Sequence, residues 1–159
     1  MGAVERYTLT LPSPLEIVLT RNFAAPRALV FQAHTQPAHL VHWWGRTGST
    51  LPVCEIDLRP GGAWRFVERQ SDGREYGFRG TYREIVPPQR LVYTFEFEGT
   101  PGHVVLVSAT FDEVDGMTRL TSRSRFHTAE DRNGMLQSGM EAGAAESCNR
   151  LEEYLAALS

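Results

Sequence analysis

The sequence predicts an α+β fold in which one antiparallel sheet is crossed by a long C-terminal helix. Two observations carry this. From Val53 to Phe126, runs rich in β-branched and aromatic residues follow one another, each closed by a turn cluster: VCEIDL by RPGG, AWRFVERQ by SDG, YGFRGTYREIV by PPQ and RLVYTFEFE by GTPG, after which HVVLVSATF joins MTRLTSRSRF through DEVDG. From Asn133 to Leu158 there is no proline, and Leu136, Met140, Gly143, Ala144, Ser147, Leu151, Leu155 and Leu158 recur at helical period. At 159 residues the chain has the size of one domain with a single core.

The elements follow in order. LEIVLTRNFA, residues 15–24, reads as the first strand. It opens a single domain over 15–158, with 1–14 as an N-terminal extension. Pro26 suits a first helical turn, so RALVFQAHT becomes a short helix. Pro37 restarts a second, AHLVHWW, which Gly45 ends. Six strands follow, seven in all, and Asp115-Gly116 marks the hairpin between the last two. Thr128 or Asp131 caps the closing helix.

Composition excludes more than it assigns. A net charge of −3, with Arg and Glu interleaved, argues against a nucleic-acid partner or an anionic membrane surface. Every one of the 16 basic residues is arginine, which base composition of the coding sequence explains without a guanidinium-reading role. Cys54 and Cys148 form no CxxC pattern, and the start MGAVERYTLTLPSP has no cationic region followed by an apolar run. A cytoplasmic protein without disulfides or membrane attachment is expected.

Alternation along the strands separates two faces. Trp64 and Phe66, then Tyr76, Phe78, Gly80 and Tyr82, then Leu91, Tyr93, Phe95 and Phe97 share one face. Arg65, Arg69, Arg79, Arg83, Arg119, Arg123 and Arg125 share the other, with Thr94, Glu96 and Thr121. Aromatics this dense must be covered, and the long helix has the length to do it. Its facing residues, Gly139, Gly143, Ala144 and Ser147, are small. They let the helix lie close on the sheet, or they leave a hollow. Gly61, Gly62 and Gly80 favour a bent sheet, which suits a hollow.

Four segments carry a resemblance: IDLRPGGAWRF (56–66), RGTYREIVPPQRLVYTFEF (79–97), VDGMTRLTSRSRF (114–126) and NGMLQSGMEAGAAESCNRLEEYL (133–155). Together they resemble the family named for the C-terminal domain of the activator of the Hsp90 ATPase, within the START-like, Bet v 1-like superfamily. The resemblance spans about residues 15–158 and implies a helix-grip fold, a curved seven-stranded antiparallel sheet around the C-terminal helix with a cavity between. It implies a hydrophobic small-molecule ligand, and in some superfamily members cyclisation or aromatisation of polyketides. Ala144 stands where many relatives carry tryptophan, which implies a roomier cavity there. The co-chaperone that names the family has a separate N-terminal domain for which this chain has no room, so a chaperone partner is not expected.

For the chemistry, His39 and His42 lie three apart on a short helix but lack a third ligand nearby, so no metal site is expected. No nucleophile motif or phosphate-cradling loop is present, and no cofactor is called for. Glu68 beside tyrosines is a candidate acid or base, though a satisfied buried carboxylate accounts for it as well. No catalytic residue is assigned. The expected ligand walls are Trp64, Phe66, Phe78, Tyr82, Tyr93 and Phe95, with Met135, Met140 and Ala144 on the helical side. Trp44 is expected at the rim, although either tryptophan of HLVHWWG suits the mouth. The alternatives are a cyclase or aromatase-like enzyme using the same cavity, or a chaperone-interacting module. A homodimer through an edge strand or the short helices is compatible with the sequence.

Overall fold

A computed structural model of the chain describes residues 7–158. Its elements are β1 (Tyr7–Thr10), β2 (Glu16–Phe23), α1 (Arg27–Thr35), α2 (Pro37–Leu40), β3 (Thr50–Ile56), β4 (Ala63–Arg69), β5 (Glu75–Val86), β6 (Arg90–Phe97), β7 (Val105–Val114), β8 (Met117–Arg125), α3 (Ala129–Gln137) and α4 (Met140–Leu158). The strands form one antiparallel, unclosed sheet in the order β1-β2-β8-β7-β6-β5-β4-β3. The helix-grip architecture expected from the sequence is present, with eight strands in place of seven.

The eighth strand is β1. It lies within the stretch assigned to an N-terminal extension, of which residues 1–6 fall outside the described residues, and it pairs with β2 from Tyr7↔Arg21 to Thr10↔Val18. Four residues are too short a run for alternation to stand out. The long helix differs as well. It is two helices, broken at Gly139, whose φ of +85° lies in the left-handed region that ends helices. The Thr128 side chain caps α3 by accepting from the Asp131 N–H at 3.0 Å. The second short helix is also shorter than expected. Regular α-helix stops at Leu40, and 3.0–3.2 Å backbone bonds from His42, Trp43 and Trp44 to His39 and Leu40 carry the chain on as turns.

Other elements match their sequence signals. α1 covers RALVFQAHT, and the hairpin turn at Asp115 (φ 53°) and Gly116 (φ 76°) has both central residues left-handed, as a two-residue type I′ turn requires. The arginine face is exposed, and among the described residues four of its seven arginines are ion-paired, Arg65 with Glu98, Arg79 with Glu96, Arg69 with Glu75 and Arg123 with Glu16. Such exposed pairs add little stability and keep the outer face solvated.

The topology fixes what lies over the inner face. β2 sits near one edge and β3 forms the other, so α1, α2 and the following loop must span the mouth of the sheet. The main core lies beneath them: Phe23, Val30, Phe31, Leu40, Trp43, Trp64, Phe66, Tyr82, Leu91 and Phe111 pack with Leu151 and Leu155 of α4. A second cluster, Ile17, Val105, Val107 and Phe126, packs against Met135 and Leu136 of α3.

One irregularity shapes the inner wall. Trp64 pairs with Gly80 across β4 and β5, and its indole Nε1–H donates to the Thr94 carbonyl at 3.2 Å, while the Thr81 N–H donates to Thr94 Oγ1 at 2.8 Å. A Cβ at Gly80 would collide with the Thr94 carbonyl and the indole nitrogen. Glycine here is what lets the indole come close enough to bond the Thr94 carbonyl. We expect Gly80→Ala to destabilise the fold by about 1–3 kcal/mol, measured as a lowered urea midpoint.

Candidate functional site

Between the sheet and the α1–α2 segment lies a cavity of about 80 Å³, lined by His34, Leu40, Trp44, Trp64, Phe66, Tyr82, Leu91, Tyr93, Phe95 and Ala109. Six residues expected from the sequence line it: Trp44, Trp64, Phe66, Tyr82, Tyr93 and Phe95. Phe78 stands just behind, edge-on to Trp44 at 5.2 Å and beside Phe95 at 5.5 Å. The expected helical side is different. Met135 sits on α3 in the second core cluster, Met140 and Ala144 begin α4 half-buried, and the buried positions of α4 are Leu151 and Leu155. The break at Gly139 turns Met135 away from the register that one continuous helix would give it.

The two adjacent tryptophans have different tasks. Trp43 is buried, with its Nε1–H donating to the Ala33 carbonyl at 3.0 Å, and it ties α2 to α1. Trp44 is half-buried, edge-on to Phe66 and Phe78, and among the described residues its Nε1–H has no partner. It forms the rim. His39 and His42 serve α4: His39 Nδ1 is hydrogen-bonded to the Tyr154 hydroxyl at 2.6 Å and His42 stacks on the same ring at 5.2 Å. No group of three metal-ligating side chains occurs among the described residues.

The rim is held by a network of charged and hydroxyl groups. The Arg150 guanidinium donates to the carbonyls of Arg46 at 2.9 Å and Gly45 at 3.1 Å, and the Gly45 N–H donates to Ser147 Oγ at 3.1 Å. Glu146 accepts from the Thr47 N–H at 3.0 Å. Glu68, the sequence candidate for acid–base chemistry, accepts from the Arg46 N–H at 2.7 Å and acts as a latch for this loop. Gly45 has φ +107°, and a Cβ would sit 2.7 Å from Ser49 Oγ and 2.8 Å from Glu68 Oε2, so the latch requires glycine.

Sequence reasoning missed four lining residues, His34, Leu40, Leu91 and Ala109, of which His34 is the polar one. It follows Val30 and Phe31 at helical spacing, which puts it beside the buried residues of α1, and it is itself half-buried. Its Nδ1 is 2.8 Å from the Val30 carbonyl, an oxygen that only accepts, so Nδ1 carries the proton. The ring is edge-on to Trp43 at 4.9 Å and Phe111 at 5.3 Å. Burial among these rings lowers its pKa to about 4, so the imidazole is neutral at pH 7. Burial likewise pushes Tyr93 up to about 12, Cys54 up to about 11, and Tyr82 well above the usual phenol range. The cavity is uncharged throughout.

A family model, Activator of Hsp90 ATPase homolog 1-like protein, matches residues 24–156. The chain belongs to this AHSA1-like family. Solved structures agree. A Rhodobacter sphaeroides protein is 28% identical with a TM-score of 0.88, over 96% of this chain and 99% of that one. A Mycobacterium smegmatis protein is 27% identical with a TM-score of 0.82, covering 93% and 97%. The AHSA1 protein of Silicibacter pomeroyi is 26% identical with a TM-score of 0.73, covering 91% and 99%. No curated protein matches the chain. In this AHSA1-like chain no described helix is long and apolar enough to cross a membrane.

Two predictions follow from the cavity and the rim of this AHSA1-like fold. Because the folded pKa of His34, about 4, lies below its ordinary 6.5, the unfolded state binds the extra proton. The stabilisation is complete above pH 6.5 and lost as pH falls towards 4, by up to about 3 kcal/mol. Urea midpoints of the parent and of His34→Phe across that window should show the steeper fall in the parent. Arg150→Ala should raise hydrogen exchange of amides 43–49 by about tenfold, leaving β7 and β8 protected, because the carbonyls it bridges lose their donor.

Proposed function

We propose that this protein binds a small hydrophobic molecule in the cavity between sheet and helices, with Trp44 as the movable rim. The carrying observation is an aromatic-walled hollow bounded on one side by a tryptophan that packs edge-on and is held by no hydrogen bond among the described residues. Apolar lining with a few inward polar groups is how proteins hold small ligands. The domain over residues 15–158, with β1 added at its edge, is the binding unit.

At about 80 Å³ the hollow is roughly half the size of an apolar cavity of about 150 Å³ that holds benzene. Ring-sized ligands therefore enter by displacing the Trp44 indole, whose neighbour Trp43 stays anchored to Ala33. The family supports this reading at the level of fold, since fold alone does not assign chemistry. A cyclase-like reaction has less support: Glu68 is taken up by the Arg46 amide, and no carboxylate is among the lining residues.

The test is a titration with toluene followed by tryptophan fluorescence. The parent should give a saturable change that Trp44→Phe reduces by more than half. Trp44→Ala should bind toluene about three- to tenfold tighter, because no side chain has to be displaced and re-ordered. Absence of saturable toluene binding in both the parent and Trp44→Ala would overturn the proposal.

A further inference from the structure

The cavity is apolar in its walls but not in its inventory of hydrogen-bonding atoms. With Nδ1 committed to Val30, the His34 ring presents Nε2 as a bare acceptor on its opposite side, and His34 lines the cavity. Among the described residues Nε2 has no protein partner. Nor do the hydroxyls of Tyr82 and Tyr93, which line the same space with their rings 6.3 Å apart, Tyr82 being only 4% exposed. One acceptor and two hydroxyls without a protein partner thus belong to residues that line the same small hollow. Each of the three stays within reach of a water-sized molecule, since among the described residues Arg21 Nε is the one buried side-chain polar atom without a partner, so a guest in the hollow can bond them in place of water.

The set is also selective by charge. None of the lining residues is an arginine, although the chain carries all its positive side-chain charge in that type. The guanidinium groups nearest the lid are engaged elsewhere, Arg150 on the rim carbonyls and Arg46 on Gly139 and Glu146. A carboxylate or phosphate entering here would meet a lone pair on His34 and no counter-charge.

We infer that the ligand is an uncharged molecule bearing a hydroxyl on a planar apolar body, phenol being the simplest case, its O–H donating to His34 Nε2 and its oxygen accepting from Tyr82 or Tyr93. This rests on the proposal that the cavity is a binding site. The aromatic body lies between Trp64, Phe66 and Phe95, in the volume that Trp44 vacates. The hydroxyl supplies both a donor and an acceptor, which is what the three protein groups together demand. Ordered water could satisfy the same atoms, and the experiment separates the two.

Phenol and toluene, which are matched in size, and the somewhat larger anion benzoate are titrated into the full chain by calorimetry. A purely apolar hollow prefers toluene, because the phenol hydroxyl would be desolvated without a partner. Here phenol should bind about two- to tenfold tighter than toluene, and benzoate should show no saturable binding. In Tyr93→Phe, close in volume to the parent, and in His34→Phe, which adds one ring atom, the preference should fall to one or reverse. On the parent protein, the ¹⁵N shift of His34 Nε2 should move with phenol and stay still with toluene, a readout independent of whether the variants fold. Toluene binding as tightly as phenol would overturn this inference and leave the apolar binding site standing. Benzoate binding as tightly as phenol would overturn the requirement for an uncharged ligand. If none of the three binds and the Nε2 shift never moves, the hollow holds water only and both proposals fail.

Discussion

One strand order constrains the rest of this molecule. Because β2 lies near one edge of the sheet and β3 forms the other, the chain between them has to cross the open mouth of a curved aromatic surface. That crossing piece is short: two helices, a tryptophan pair and a loop. Its backbone groups cannot join the sheet, and its exposed position over the core would leave carbonyls unpaired. Arg150, Ser147 and Glu146 on α4 and Glu68 on β4 supply the partners. The helix that grips the sheet thus also holds the lid, and the lid in turn defines the hollow.

This arrangement accounts for the small residues on the N-terminal half of α4. Gly143 carries the Arg46 side chain over its surface, where a Cβ would come within 3.2 Å of the guanidinium. Ser147 is small enough to bond the Gly45 amide. The small stripe is a seat for the lid loop, while the deep apolar contacts come from Leu151 and Leu155. Stability and the candidate site therefore share one hydrogen-bond network, so changes to the lid loosen the fold locally before they unfold it.

Strand parity was readable because side chains alternate with a period of two, and a run of aromatics on one parity leaves little choice of face. Trp64, Phe66, Tyr82, Tyr93 and Phe95 were placed in the wall on that ground. Helical segments were less legible. A four-residue helix followed by turns does not obey one period, so Trp43 and Trp44 could not be told apart. His34 sat beside the buried residues of α1, yet a histidine there reads equally as core or surface until its neighbours are known. Met135 packs on the second core cluster because Gly139, which the helical period counts among the small residues of one face, is left-handed and separates two helices.

What the sequence alone determined is the order of elements from β2 to β8 with a helical segment after them, the solvated arginine face, the aromatic inner face and the family, since each depends on local period or on motifs within a single segment. Tertiary structure decided the rest. Which tryptophan packs on the aromatic wall and which carboxylate is used up by a backbone amide depend on contacts between residues about twenty to thirty-five positions apart in the chain. Such contacts are set by how the lid crosses the sheet, and no local pattern in the chain encodes that crossing.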